Sequence, residues 1–196
     1  MLCTGAAQRW SSTPEGDPRG GRYARAVRRV AIIASASGNG KTTLGRALAA
    51  RLGVRFVELD ALVHGPNWVE TPDEELRAIL APIMAEEGWV IDGSYGRKLG
   101  TMVLDAADTV VWLDLPIRVW LPRLVRRTAR RVTGREELWN GNRENVITAV
   151  WGRQSLFGYA LTQHFRKRRD YPAELARYPV VRLRTPREVD RWMADV

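Results

Sequence analysis

Residues 30–43 read VAIIASASGNGKTT, and this stretch decides the fold. Val30 to Ala34 is a short, continuous apolar run, the pattern of a strand buried on both faces. Beyond the run Leu44, Leu48 and Leu52 recur every four residues and Gly53 follows, which predicts a helix stopped by glycine. Between them lies Ser35-Ala36-Ser37-Gly38-Asn39-Gly40-Lys41-Thr42-Thr43. This is G-x-x-x-x-G-K-[ST] with Ser35 where the first glycine belongs. Gly38 and Gly40 let the backbone turn successive N–H groups inward as an anion nest. The helix beginning near Lys41 adds its positive dipole end. Lys41 supplies a point charge for β- and γ-phosphates, and the Thr42 hydroxyl suits Mg²⁺. Ser37, Asn39 and Thr43 complete the candidate nucleotide-binding run. The competing reading, a glycine-rich turn before an ordinary helix, leaves the Lys-Thr pair unexplained.

Outward from this loop, strands and helices alternate. Val54–Val57, Trp89–Ile91, Thr109–Leu113 and Pro179–Leu183 read as four further strands. Thr71-Pro72-Asp73-Glu74 reads as a helix start with Thr71 as N-cap, and Leu76, Ile79, Leu80 and Ile83 form its apolar face. A basic helix is predicted over 117–132, and Val146, Ile147, Val150, Leu156, Phe157, Ala160, Leu161 and Phe165 fit one or two more. Thr185-Pro186-Arg187-Glu188 repeats the capping signature before a last helix whose inner face is Val189, Trp192 and Met193. Alternation of this kind predicts an α/β fold, a five-stranded parallel sheet with helices on both faces. Ligands in such folds bind at the carboxyl ends of the strands. Asp60, Asp92 and Asp114, which end three strands, then become neighbours of the Ser35–Thr43 loop.

Composition narrows the class. With 196 residues, 45% hydrophobic and 27% charged, the chain matches one globular domain. Lys plus Arg number 31 against 22 acids, and only Lys41, Lys98 and Lys167 are lysines. Counted to Arg29, the first segment holds six bases and two acids, a net +4 of the total +9. The remainder is close to +5, which weakens the case for a nucleic-acid partner. Residues 1–27 mix Gly, Pro, Ser and Arg without apolar period, and are expected to be a disordered tail. No apolar run reaches the roughly 18 residues of a membrane span. The single cysteine, Cys3, excludes a disulfide scaffold, and the expected compartment is the cytoplasm.

Several motifs together carry a family resemblance. Gly38-x-Gly-Lys-Thr-Thr, Asp60 in Leu59-Asp60-Ala61-Leu62, Asn67-Trp68-Val69, Ile91-Asp92-Gly93-Ser94-Tyr95-Gly96-Arg97, Leu113-Asp114-Leu115-Pro116 and Glu137-Leu138-Trp139-Asn140-Gly141-Asn142-Arg143-Glu144 resemble the adenylate-kinase-like P-loop phosphotransferases. The chain is most similar to the small bacterial proteins of the adenylate kinase-like or DNA topology modulation type, over about residues 28–194. The resemblance implies a three-layer P-loop NTPase fold with a small helical lid, about residues 128–145, and use of ATP and Mg²⁺. By the same resemblance Asp92 holds Mg²⁺ through water, and Arg123 and Arg127 contact the ATP base and phosphates. Nucleoside monophosphate kinases often carry Asp-Gly-Phe-Pro-Arg after this strand; here Arg97 arrives one position late, which counts against AMP as acceptor.

The expected function is transfer of the γ-phosphoryl of MgATP to a small-molecule acceptor: a nucleotide, nucleoside or other hydroxyl compound. Lys41 and Arg127 would act on the phosphates, and Asp60 would either orient the acceptor hydroxyl or cap a loop. Thr42 and Asp92 would hold the metal, with Arg123 on the nucleotide. Asp114 reads as a strand-end residue near the site. His64 reads as an acceptor-pocket or loop residue, and Trp68 and Trp139 sit where a substrate could meet them. Arg166-Lys167-Arg168-Arg169 reads as a solvated helix end, or as a nucleic-acid contact. Two alternatives stand beside the kinase: an ATP-binding regulator associated with nucleic acid, and a nucleotide-binding protein without turnover. A monomer or weak dimer is expected.

Overall fold

The computed structural model describes residues 27–134, 139–142 and 156–196. Five strands, β1 (Arg29–Ala34), β2 (Arg55–Glu58), β3 (Trp89–Asp92), β4 (Thr109–Leu113) and β5 (Val180–Leu183), form one parallel sheet in the order β2-β3-β1-β4-β5. Each lies within one residue of its sequence-predicted bounds at either end. The helices are α1 (Lys41–Leu52), α2 (Leu59–Val63), α3 (Asp73–Ala85), α4 (Gly96–Leu99), α5 (Met102–Ala106), α6 (Ile117–Thr133), α7 (Leu156–Glu174) and α8 (Pro186–Asp195). Two short 3-10 turns, Pro66–Trp68 and Trp139–Gly141, complete the described chain.

The strand period of two divides the core between the sheet's faces. Ala31 and Ile33 of β1 pack with Leu76, Leu80 and Ile83 of α3 and with Leu175 beyond α7. Val30, Ile32 and Ala34 face Leu44 and Leu48 of α1, with Val189, Trp192 and Met193 of α8 against the same cluster. A third cluster, Ala36, Trp120, Leu124 and Ala160, ties α6 and α7 together above the phosphate loop. Ile79 and Phe165, expected in apolar faces, are 37% and 62% exposed. The buried stripe of α3 needs only Leu76, Leu80 and Ile83, and on α7 the buried positions are Ala160 and His164.

The two capping signatures part company. Thr185 Oγ accepts the Glu188 N–H at 3.1 Å, and the Glu188 carboxylate accepts the Arg184 N–H at 2.7 Å. Thr71 does not cap α3: Pro72 holds the cap position without a side-chain bond. The Thr71 hydroxyl donates instead to the Leu62 carbonyl at 2.6 Å, because the loop after α2 folds back on itself. Residues 1–26 of the predicted tail, Val146, Ile147, Val150 and residues 135–138 and 143–145 of the predicted lid lie outside the described residues, while the first part of that lid is the last turn of α6. Among the described residues, no helix is long and apolar enough to cross a membrane.

Candidate active site

The phosphate loop is set by two left-handed glycines, Gly38 at φ 83° and Gly40 at φ 91°. Asn39 is buried and fixes the turn between them: its amide donates to the Ala36 carbonyl at 2.8 Å and its carbonyl accepts the Leu115 N–H at 3.1 Å. The loop lies under α6. A methyl group on Gly38 would sit 2.7 Å from the Trp120 carbonyl oxygen and 3.0 Å from Leu124 Cβ. One on Gly40 would lie 3.9 Å from Arg123 Nη1, so the Arg123 guanidinium hangs over the loop mouth. Arg127, one turn further along α6, is half-buried.

Ser35 is fully buried and belongs to a polar network, not to the loop's anion nest. Its hydroxyl accepts Trp112 Nε1–H at 2.9 Å and donates to Asp114 Oδ1 at 2.8 Å. Asp114 in turn takes Arg182 at 2.6 Å and 3.0 Å, and Arg168 at 3.1 Å. The aspartate is therefore a buried strut under the sheet ends, in keeping with its reading as a strand-end residue.

Asp92 ends β3 beside the loop and is 4% exposed. Lys41 Nζ lies 3.0 Å from Oδ1, and the Thr42 hydroxyl donates to Oδ2 at 2.6 Å. Glu58, the β-sheet partner of Asp92, brings Oε1 to 3.5 Å from the same hydroxyl. A hydroxyl and two carboxylates are hard oxygen donors, the set Mg²⁺ takes alongside water and phosphate. Thr42, Asp92 and Glu58 therefore fit that ion, and the first two are the residues the sequence singled out. Glu58 had no motif to reveal it; only the strand register places it there.

One strand further, Asp60 opens the first turn of α2. Its carboxylate accepts the Tyr95 hydroxyl at 2.5 Å, and His64 Nε2 lies 3.4 Å from the same hydroxyl. Burial, then the Asp60 charge, pushes the Tyr95 phenol well above its ordinary pKa, so it stays a donor and Asp60 the acceptor. His64 stands between two tryptophans, edge-on to Trp68 at 5.5 Å and stacked on Trp139 at 6.0 Å. Asn140 donates to the His64 carbonyl at 2.6 Å; Asn142 donates to the Gly65 carbonyl at 2.9 Å and accepts the Trp68 N–H at 3.0 Å. Residues 139–142 of the predicted lid are thus clasped to the loop after α2. The four described non-glycine residues with positive φ are Asn67, Trp68, Tyr95 and Asn140, all in the segments that meet here.

The basic run on α7 departs from its reading. The helix continues to Glu174, so the run is not a helix end. Arg166 and Arg169 pair with Asp170 near the surface. Arg168 turns inward to Asp114, and Lys167 Nζ donates to the Ala34 carbonyl at 3.3 Å. On the acceptor side, Arg97 is 86% exposed and pairs with Glu70 at 3.5 Å. Lys98 is held by Glu70 and Asp73, each at 3.0 Å.

The chain is similar to shikimate kinases in part of its sequence and in its fold. The family model for shikimate kinase matches residues 37–68, from the phosphate loop through Asp60 to Trp68. Shikimate kinase of Sulfurihydrogenibium sp. (strain YO3AOP1) is 31% identical over 101 residues, 44% of this chain and 61% of that protein. Shikimate kinase 2 of Yersinia enterocolitica is 36% identical over 81 residues, 41% of this chain and 40% of that protein. The chain thus spans about half the length of the curated relatives it matches. The crystal structure of shikimate kinase from Bacteroides thetaiotaomicron shares the fold, with a TM-score of 0.52 at 16% identity over 85% of this chain and 94% of that one. The likeness is to P-loop kinases, and these matches do not carry the adenylate kinase-like or DNA topology modulation name that the motifs resemble.

Proposed function

We propose that this chain is an ATP-dependent phosphotransferase acting on a hydroxyl group of a small molecule. The observation that carries the reading is the line of groups along three adjacent strand ends. Lys41 and Thr42 meet on buried Asp92, and Asp60 with Tyr95 stands one strand away. The loop N–H groups, Lys41 and Arg123 would hold the β- and γ-phosphates. Thr42, Asp92 and Glu58 would hold Mg²⁺, which neutralises charge on the phosphate oxygens when bound.

The acceptor oxygen would attack the γ-phosphorus in line as the bond to the β–γ bridging oxygen breaks. Asp60 would orient that hydroxyl and take its proton, while the Tyr95 phenol fixes the carboxylate's direction. Arg97 faces outward onto Glu70, which counts against a nucleoside monophosphate acceptor. The nucleic-acid reading loses support because, in the run on α7, Lys167 is bound to the Ala34 carbonyl and Arg168 is paired with buried Asp114.

A screen of nucleosides, sugars, shikimate-like cyclic acids and nucleotides, reading ADP formation with MgATP, tests the proposal. Lys41→Ala should lose roughly 1.5–3 kcal/mol of MgATP binding, the range for a charged hydrogen bond, by calorimetry. Equal affinity in the two proteins would refute it.

A further inference from the structure

The strongest unassigned feature is Lys167, which nothing in the sequence pattern sets apart from its arginine neighbours. Its position follows from strand geometry. β1 gives its Ile32 carbonyl to the Gly93 N–H at 2.8 Å, on the β3 side. Strand carbonyls alternate sides, so the Ala34 carbonyl, two residues on, points the same way. By then β3 has ended at Asp92, and the Gly93–Tyr95 turn has left the sheet. The β1–β3 register stops at Ile32 and Asp92, so the Ala34 carbonyl points to the β3 side beyond the last paired residue. Lys167 Nζ donates to it at 3.3 Å, with its ammonium 5.7 Å from the centre of the Tyr171 ring.

This position is at the strand ends that carry both halves of the site. Lys41 of the phosphate loop and Asp60 of α2 each act on Lys167 by charge, together with Arg166 and Glu174 on its own helix. A γ-phosphoryl held by Lys41 and passing toward a hydroxyl at Asp60 crosses the space in front of this amine. In such a transfer negative charge spreads over the equatorial phosphoryl oxygens, and a fixed cation beside them is worth most in the transition state.

We propose that Lys167 is a catalytic residue of the phosphoryl transfer, donating to the equatorial oxygens of the group in transit. This rests on the kinase reading. Lys167 gives up no proton: the acceptor O–P bond forms, the bond to the β–γ bridging oxygen breaks, and its electron pair leaves with ADP. Burial, then the neighbouring Lys41, lowers its pKa to about 8. With an amine held that low, its contribution is full below pH 8 and is lost as the pH rises through that value.

The test separates this role from packing and from the kinase reading itself. Calorimetry would compare MgADP with MgADP plus aluminium fluoride, a mimic of the phosphoryl group in transit, on the full chain. Lys167→Met should leave MgADP affinity within about threefold but weaken the fluoroaluminate complex by about 10²-fold, the scale for one lost transition-state donor. Lys167→Arg should recover most of that affinity and, measured against Lys167→Met at each pH to cancel the alkaline hydrolysis of fluoroaluminate, should keep its advantage above pH 8 where the wild type is expected to lose it. Equal weakening of both complexes in Lys167→Met, or no rescue by arginine, would make Lys167 a packing residue and overturn the proposal. A wild-type chain that binds no MgADP would overturn the kinase reading, and this proposal with it. If Lys167→Met fails to fold, the ratio of arginine-variant to wild-type affinity decides, since hydrolysis of fluoroaluminate cancels in it: a ratio that does not rise above pH 8 refutes the assignment.

Discussion

Ser35 illustrates how one residue can read as a defect and turn out to be a support. In the motif it replaces a glycine; in the fold its hydroxyl joins the Trp112 indole to Asp114 in a fully buried site. Removing it leaves a buried indole N–H without its acceptor, a loss of about 1–3 kcal/mol. Ser35→Ala should therefore lower the unfolding free energy in urea by that amount, while MgATP affinity stays nearly constant. A variant as stable as the wild type would show that water or a rearranged Asp114 replaces the hydroxyl. Lys98 makes a related point about charge. Its bonds to Glu70 and Asp73 raise its pKa and lower that of Glu70. The pair holds while Glu70 is ionised and weakens as the pH falls through the carboxylate's depressed value.

Among the elements, α6 is the one whose sequence carries most of its role. Its arginines, with no acid in the helix, announced a phosphate-facing surface, and Arg123 does hang over Gly40. The contact that sets the helix's height was hidden, because it is made by backbone: the Trp120 carbonyl above Gly38. Gly38→Ala should both clash there and strain the φ of 83°, lowering stability and nucleotide affinity together. Arg127, one turn from Arg123 and so about 6 Å away, is predicted to act mainly in the transition state. Arg127→Ala should lower kcat far more than it raises the KM for ATP, with the opposite bias in Arg123→Ala; steady-state kinetics with any acceptor found would decide. Near-full turnover in Arg127→Ala would reduce that arginine to surface charge.

The strands and the phosphate loop were legible because buried parallel strands and left-handed glycines leave local signatures. Thr42 was legible in the same loop, and Asp92 as the residue that ends a strand. Lys167 was not, since a basic run looks alike whether it meets water or a carbonyl; only the early end of β3 turns one amine inward. Tyr95 was quoted within a motif without a role, because its partner Asp60 lies 35 residues away and meets it only across the sheet.

On the scale of the whole molecule, the clasp between residues 139–142 and the loop after α2 joins the two substrate sides. The first follows the helix that covers the phosphates; the second carries His64 beside Asp60. Asn140 and Asn142 make side-chain bonds to four backbone groups, the carbonyls of Ala61, His64 and Gly65 and the N–H of Trp68, across 74 to 79 residues of sequence. Replacing both by alanine should raise the KM for the acceptor more than that for ATP, measured by initial rates. Equal effects on both would mean that the clasp serves stability alone.

The left-handed residues in the segments that meet at Asp60 and His64 bear on how the protein would respond to selection for heat resistance. Asn67, Trp68, Tyr95 and Asn140 each hold a backbone conformation costing on the order of 1–3 kcal/mol for a side-chain-bearing residue. Glycine at any of them would relieve that cost. A library screened only for survival on heating should therefore take glycine most readily at Asn67, while Trp68, Tyr95 and Asn140 should persist, because glycine there would forfeit a ring contact or a hydrogen bond worth as much as the strain it relieves.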